Sequence, residues 1–276
     1  MNNKINIRRE KMKLRDKFWL WGHPEGRYNN EWGNDKASRM TPMEGCLYLG
    51  VRNTFMVPVE WEVNERQYNK SFKTLHNVGW GYCYHSEKYW GFENVIDKIM
   101  ENAKEFPNNT CVAFDDFKFL NRYKEYLHNE LKQTIDYLHN NNVRYLNCWM
   151  TLYTHEFGED EQADKEFQQY IDLMDGIVMW NWYESRYKSI PEKFEIFKKL
   201  TANKRRMCGC YLYNFGENKQ ATAEAVKWQL DWYREKLLAG EIEGVVLHTN
   251  TMADLDYESY DAACAWMEEH GDEEID

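Results

Sequence analysis

Short apolar runs alternate along the whole chain with longer segments whose apolar residues recur every three or four positions. The runs fall at 18–23, 53–59, 78–84, 111–117, 143–153, 176–183, 206–215 and 244–250. The periodic segments fall at 41–49, 65–76, 92–106, 123–140, 160–174, 191–201, 221–238 and 257–270. A continuous apolar run bounded by turn residues suits a strand buried on both faces, and a 3.6-residue period suits a helix with one apolar stripe. Their alternation predicts parallel βαβ units, and eight units close a single (β/α)8 TIM barrel of the α/β class.

Local signals agree with these bounds. Thr41, Pro42 and Glu44 form a capping box with proline at the first helical position, and Gly50 ends that helix. Val95, Ile96, Ile99 and Met100 keep to one side of the third helix, and Asn140, Asn141 and Asn142 end the fourth. Residues 18–276 are expected to form the barrel. Residues 1–17, which mix Lys and Arg with few apolar side chains, are expected to be a solvated tail. No Gly-x-Gly-x-x-Gly turn follows the first strand, so an open dinucleotide-binding sheet lacks its main cue, and the sequence calls for no cofactor.

The fourth run, Cys111-Val112-Ala113-Phe114-Asp115-Asp116-Phe117, ends in two adjacent carboxylates. The carboxyl ends of the strands are where barrel enzymes keep their chemistry. Asp115 and Asp116 are therefore the leading catalytic candidates, with Glu184 a third acid beyond strand six. Two close carboxylates resist ionising together, which leaves one protonated as an acid and the other charged. Neighbouring residues on a strand face opposite ways, so both acids reach the axis only if the strand ends and twists there. An Asp after a strand also caps the next helix, and Glu184 would suit a helix's first turn.

The same rim is expected to collect His23, Glu25, Tyr84, His85, Tyr153, His155, Trp180, Asn181, Trp182, Tyr213, Asn214, His248 and Asn250 as substrate-binding groups. His23, His85, His155 and His248 sit at four strand ends and, with an Asp, would suit a metal. None of them is paired at a metal-specific spacing, so the site is read without a metal. None of the strands carries a central Lys for Schiff-base chemistry.

Composition narrows the partner. A formal net charge of -11 argues against nucleic acid, whose phosphates need clustered Lys and Arg. No apolar stretch spans a membrane and the N-terminus has no signal-peptide centre, so the expected setting is cytoplasmic, or periplasmic or secreted if a leader was removed. Seven cysteines, several within strands, fit reduced core thiols better than a disulfide framework. Aromatic residues reach 16 %, with 12 Trp and 19 Tyr, and flat rings with one polar tip suit the faces of a sugar.

At Phe114-Asp115-Asp116-Phe117 the chain resembles the bacterial and animal β-N-acetylglucosaminidases of the O-GlcNAcase and hyaluronidase-related type. Gly22-His23-Pro24-Glu25-Gly26-Arg27-Tyr28 is similar to the turn after their first strand, with weaker echoes at Trp180-Asn181 and Asn214. The resemblance implies a glycosidase in which the substrate's acetamido group attacks the anomeric carbon. Asp115 would then polarise that group and Asp116 would protonate the leaving oxygen. The expected function is a soluble glycoside hydrolase acting on a carbohydrate substrate. The alternatives are a metal-dependent sugar isomerase, epimerase or hydrolase, and a carbohydrate-binding barrel without chemistry.

Overall fold

The computed structural model describes residues 11–58, 63–82, 92–118 and 128–275. Eight strands, β1 (Phe18–Gly22), β2 (Asn53–Met56), β3 (Asn77–Tyr82), β4 (Asn109–Phe114), β5 (Asn147–Tyr153), β6 (Gly176–Trp180), β7 (Arg205–Tyr211) and β8 (Gly244–His248), form a closed barrel. Each pairs in parallel with its neighbours in sequence, and β8 closes on β1 with His248 beside Trp21. Each strand is followed by a helix: α1 (Pro42–Tyr48), α2 (Glu65–Ser71), α3 (Phe92–Glu105), α4 (His128–Asn140), α5 (Glu161–Ile171), α6 (Ile190–Leu200), α7 (Ala223–Leu238) and α8 (Glu258–His270). The fold is thus the (β/α)8 barrel that the alternation of patterns predicts.

Strand alternation sorts the apolar residues into two cores. Trp19, Trp21, Phe55, Cys111, Ala113, Trp149, Val178, Trp180, Met207 and Val246 fill the barrel. Phe18, Leu20, Val112, Phe114, Met150 and Leu247 face outward under the helices. The barrel accommodates its tryptophans by placing glycine opposite them. A Cβ on Gly209 would stand 2.1 Å from the Trp180 ring, and one on Gly176 would stand 2.3 Å from Trp149.

Several boundaries differ from the pattern. The fifth run starts its strand at Asn147, because the Asn141 side chain folds residues 141–144 into a turn, accepting from the amides of Val143 and Arg144. The second helix ends at Ser71 because Asn108 takes the carbonyls of Phe72 and Leu75, leaving a tighter turn. The seventh run breaks after Tyr211, where the Leu212 amide crosses to the His248 carbonyl. Tyr213–Asn214 then pairs antiparallel with Lys219–Gln220 across a left-handed Asn218. The strand expected over 78–84 and the helix expected over 123–140 reach residues outside those described, as do residues 1–10 of the expected tail.

The rest of that tail is built into the fold. Met12–Lys13 pairs antiparallel with Glu274–Ile275, and Leu14 is fully buried. Lys11 reaches Glu274, while Lys13 and Arg15 both reach Asp272, so the basic start clasps the acidic end. Among the described residues Cys46, Cys111, Cys148, Cys208 and Cys210 are buried thiols and Cys264 is half-buried. Among the same residues no helix is long and apolar enough to cross a membrane.

Candidate active site

Strand β4 points Cys111 and Ala113 into the barrel and Val112 and Phe114 outward, so the next residue, Asp115, continues inward. Asp116 would then turn away, but its φ of 50° puts it in the left-handed region. That turn brings the second carboxylate back, and both acids line one cavity of about 260 Å³ at the carboxyl end of the barrel.

Neighbouring β5 holds the pair in place. Thr151 and Tyr153 stand two apart on one face of that strand. Thr151 Oγ1 accepts from the Asp116 amide at 2.9 Å and donates to Asp115 Oδ1 at 3.4 Å. The Asp116 amide also reaches Asp115 Oδ1 at 3.0 Å, and the Tyr153 hydroxyl donates to Asp116 Oδ1 at 2.6 Å. Burial, and then the charge of Asp116 beside it, hold the Asp115 carboxyl well above the usual carboxylate range. Burial likewise pushes the Tyr153 and Tyr211 phenols well up, so both are neutral donors. Just past the end of β5, Glu156 Oε2 accepts from the Tyr153 amide at 2.7 Å, and burial raises its carboxyl to about 7.

Across the cavity stand two histidines. His23 Nδ1 lies 2.7 Å from the Val57 carbonyl, which fixes the proton there and leaves Nε2 as an acceptor. His248 Nε2 lies 3.2 Å and the Tyr28 hydroxyl 3.3 Å from that nitrogen. Burial lowers His23 to about 3 and His248 well below the usual range, so both rings are neutral. The remaining wall is aromatic apart from Arg27. Trp180 meets Trp21 edge-on at 5.6 Å and Tyr211 at 4.7 Å, and Trp182 meets Tyr153 and Tyr211 edge-on.

Of the residues singled out in the sequence, Asp115, Asp116, His23, Tyr153, Trp180, Trp182 and His248 converge on this cavity. Others serve the frame and stand off the lining. Glu184 takes the Thr222 amide and hydroxyl at 2.9 and 3.1 Å, at the start of α7 rather than in the cavity. Asn181 bridges Thr154 and the Tyr183 carbonyl, and Asn214 holds Glu217 and the Glu184 amide. Asn250 clamps the His23 backbone at both its amide and its carbonyl. The Tyr213 hydroxyl donates to the Trp32 carbonyl, and Glu25 accepts from Tyr68 on an exposed flank. His155 stacks beside Tyr153 at 5.6 Å and turns its edge to Tyr183. Tyr84 and His85 lie outside the described residues.

Six lining residues were not among the expected site residues, namely Trp21, Arg27, Tyr28, Trp32, Tyr211 and Phe215, although Arg27 and Tyr28 stand in the turn that carries the resemblance after the first strand. Trp21 and Tyr211 were findable, since each stands two positions along its strand from another inward residue. Arg27, Tyr28 and Trp32 come from the loop after β1, where no period tells which side chain turns in.

Of the four rim histidines, only His23 and His248 meet among the described residues. Elsewhere His139, Cys148 and Asp175 lie close together at the opposite end of the barrel. There Asp175 Oδ2 already serves His139 Nε2 at 2.9 Å and the Cys148 amide at 2.6 Å. Burial pushes the Cys148 thiol well up, so this cluster reads as a structural network.

No protein-family model matches the chain, and no curated protein matches it in sequence. Solved structures do resemble it. Tryptophan synthase from M. tuberculosis, in an aminoacrylate- and BRD0059-bound form, superposes with a TM-score of 0.51 at 9 % identity, over 94 % of each chain. A GH113 β-1,4-mannanase gives 0.48 at 9 % identity, over 95 % of this chain and 94 % of its own. The GH99 endo-α-mannosidase from Bacteroides thetaiotaomicron gives 0.46 at 10 % identity, over 88 % and 85 %. At such identities the first likeness is one of fold, and the other two carry no argument.

Proposed function

We propose that the chain is a glycoside hydrolase that removes a single terminal sugar, with Asp115 and Asp116 as its catalytic pair. The observation that carries this reading is the left-handed turn at Asp116, which gives two consecutive carboxylates to one aromatic cavity. A volume of about 260 Å³ lies just below the range of about 300–1,000 Å³ usual for small-molecule sites, and so suits one pyranose ring. The Trp and Tyr faces would take the ring's apolar side, and the phenols and neutral imidazoles its hydroxyls.

Among the described residues the lining holds no acid besides this pair, and none of them sets a carboxylate opposite it. That favours substrate-assisted chemistry, in which an acetamido oxygen of an N-acetylhexosamine attacks the anomeric carbon. The glycosidic bond breaks as its oxygen takes a proton from one acid, while the other faces the charge developing on the acetamido nitrogen. Water then adds to the anomeric carbon as its bond to the acetamido oxygen breaks, and the water's proton restores the acid. Burial of Asp115 supports Asp115 as the proton donor and Asp116, braced by Tyr153, as the charged partner. These roles are the reverse of those implied by the resemblance to the β-N-acetylglucosaminidases.

A panel of nitrophenyl glycosides tests the reading. Release of nitrophenol by the wild-type protein, abolished in Asp116→Asn with little change in melting temperature, is expected. Equal turnover by the variant would remove the assignment.

A second reading, a metal-dependent barrel, rests on the 3.2 Å between His23 Nε2 and His248 Nε2. Two imidazoles on one tetrahedral zinc, at Zn–N bonds of about 2.0–2.1 Å, stand about 3.3 Å apart. Stoichiometric metal in protein purified without a His tag would favour that reading, and turnover unaffected by chelation would dismiss it.

A further inference from the structure

The loop between β1 and α1 spends conformational strain to present side chains. Tyr28 and Trp32 take left-handed φ values, 69° and 55°, which bulky side chains rarely adopt, and Asn30 between them takes 58°. The rest of the fold holds the loop in that shape. Gly33 packs so tightly against Asn218 that a Cβ there would stand 2.2 Å from its carbonyl oxygen. The buried Asn34 donates to the carbonyls of Tyr28 and Lys36 and accepts from the Tyr257 hydroxyl at 2.7 Å. The Tyr213 hydroxyl fixes the Trp32 carbonyl at 2.9 Å.

The result is a tryptophan that lines the cavity yet is 41 % exposed. Trp180, deeper in the same cavity, is buried. The Trp32 ring meets Trp182 edge-on at 5.8 Å and Phe215 at 5.9 Å, so its neighbours brace it while a large part of it stays open. The part of the ring left in water contributes nothing to the fold by burial, and it is held there by a strained, well-anchored loop. Beside it, Arg27 also lines the cavity, its guanidinium 4.7 Å above the Tyr28 ring and bonded to Glu31 at 2.8 Å.

We propose that Trp32 and Arg27 form a leaving-group subsite, where the second sugar of a disaccharide or longer glycan stacks on the Trp32 ring and meets the Arg27 guanidinium through its hydroxyls. The inference rests on the glycosidase reading and extends it: the cavity holds the sugar that is removed, and the loop reads the sugar it is removed from.

Calorimetry on Asp116→Asn protein, which leaves the ligand intact, tests this with N,N′-diacetylchitobiose and N-acetylglucosamine as probes. The disaccharide is expected to bind about tenfold tighter than the monosaccharide, the scale of one stacked ring face. Trp32→Asn, which suits the left-handed backbone, is expected to weaken disaccharide binding about tenfold more than monosaccharide binding and so erase that difference, and Trp32→Phe to keep most of it. Equal affinities, a parallel loss on both ligands, or binding of neither would overturn the subsite. Failure of the glycosidase reading shows separately, as wild-type protein inert towards every nitrophenyl glycoside.

Discussion

The Tyr153 hydroxyl donates to Asp116 Oδ1 across 2.6 Å, from the end of β5 to the turn that follows β4. It ties the second acid to a rigid strand through a short bond to a carboxylate, and such bonds are the stronger kind. Hydrogen bonds to charged groups contribute about 1.5–3 kcal/mol, so Tyr153→Phe is expected to lower kcat/KM by about 10- to 150-fold. The melting temperature should move little, because the ring stays. A Tyr153→Phe enzyme with wild-type kcat/KM would mean that Asp116 needs no such support.

The two acids should separate by leaving group. If Asp115 donates the proton, Asp115→Asn loses turnover of poor leaving groups but keeps much of it on a 2,4-dinitrophenyl glycoside, which departs unprotonated. Asp116→Asn should lose both. Burial and the Asp116 charge raise Asp115, so activity on poor leaving groups falls only as pH climbs well past the usual carboxylate range. Difference infrared spectroscopy at neutral pH should show a protonated carboxyl band that Asp115→Asn removes. If Asp116→Asn removes it instead, the proton sits on the other acid.

Glu156 gives the fold a pH dependence of its own. Its carboxyl is raised from 4.5 to about 7 in the folded chain, chiefly by burial. Below the unfolded value both states are protonated and nothing is lost. Between about pH 4.5 and 7 the folded state holds the extra proton, so stability falls as pH rises, and the loss is complete above 7. The loss is on the order of 3 kcal/mol. Glu156→Gln should therefore raise the melting temperature at pH 8 and change it little at pH 4. Equal effects at both pH values would contradict this.

Inside the barrel, Gly209 leaves room for the Trp180 ring, with a would-be Cβ at 2.1 Å. Both sides of that contact are rigid, so Gly209→Ala is expected to cost about 1–3 kcal/mol, or roughly 2–12 °C in Tm. Because Trp180 also lines the cavity, ligand affinity should fall with it. A variant with unchanged Tm would show that the ring has space to move.

By itself the sequence determined the barrel. Apolar runs alternating with amphipathic segments leave few ways to bury both, and that pattern is local enough to read, down to the Thr41 capping box, which the structure holds with Glu44 at 2.8 Å. It also located Asp115 and Asp116 at the end of the fourth strand, since the strand period carries Asp115 inward. Only the tertiary structure decided which rim residues face the cavity. Glu184, Asn214 and Asn250 sit at strand ends as the reading required, yet unpaired amides and hydroxyls of neighbouring segments claimed them. Asp116, Tyr28 and Trp32 turn inward through left-handed backbone angles, which no hydrophobic period encodes. Those angles are held by distant partners, Thr151 for Asp116 and Tyr213 and Asn218 for the Trp32 loop, so the direction of these side chains exists only once the barrel has closed.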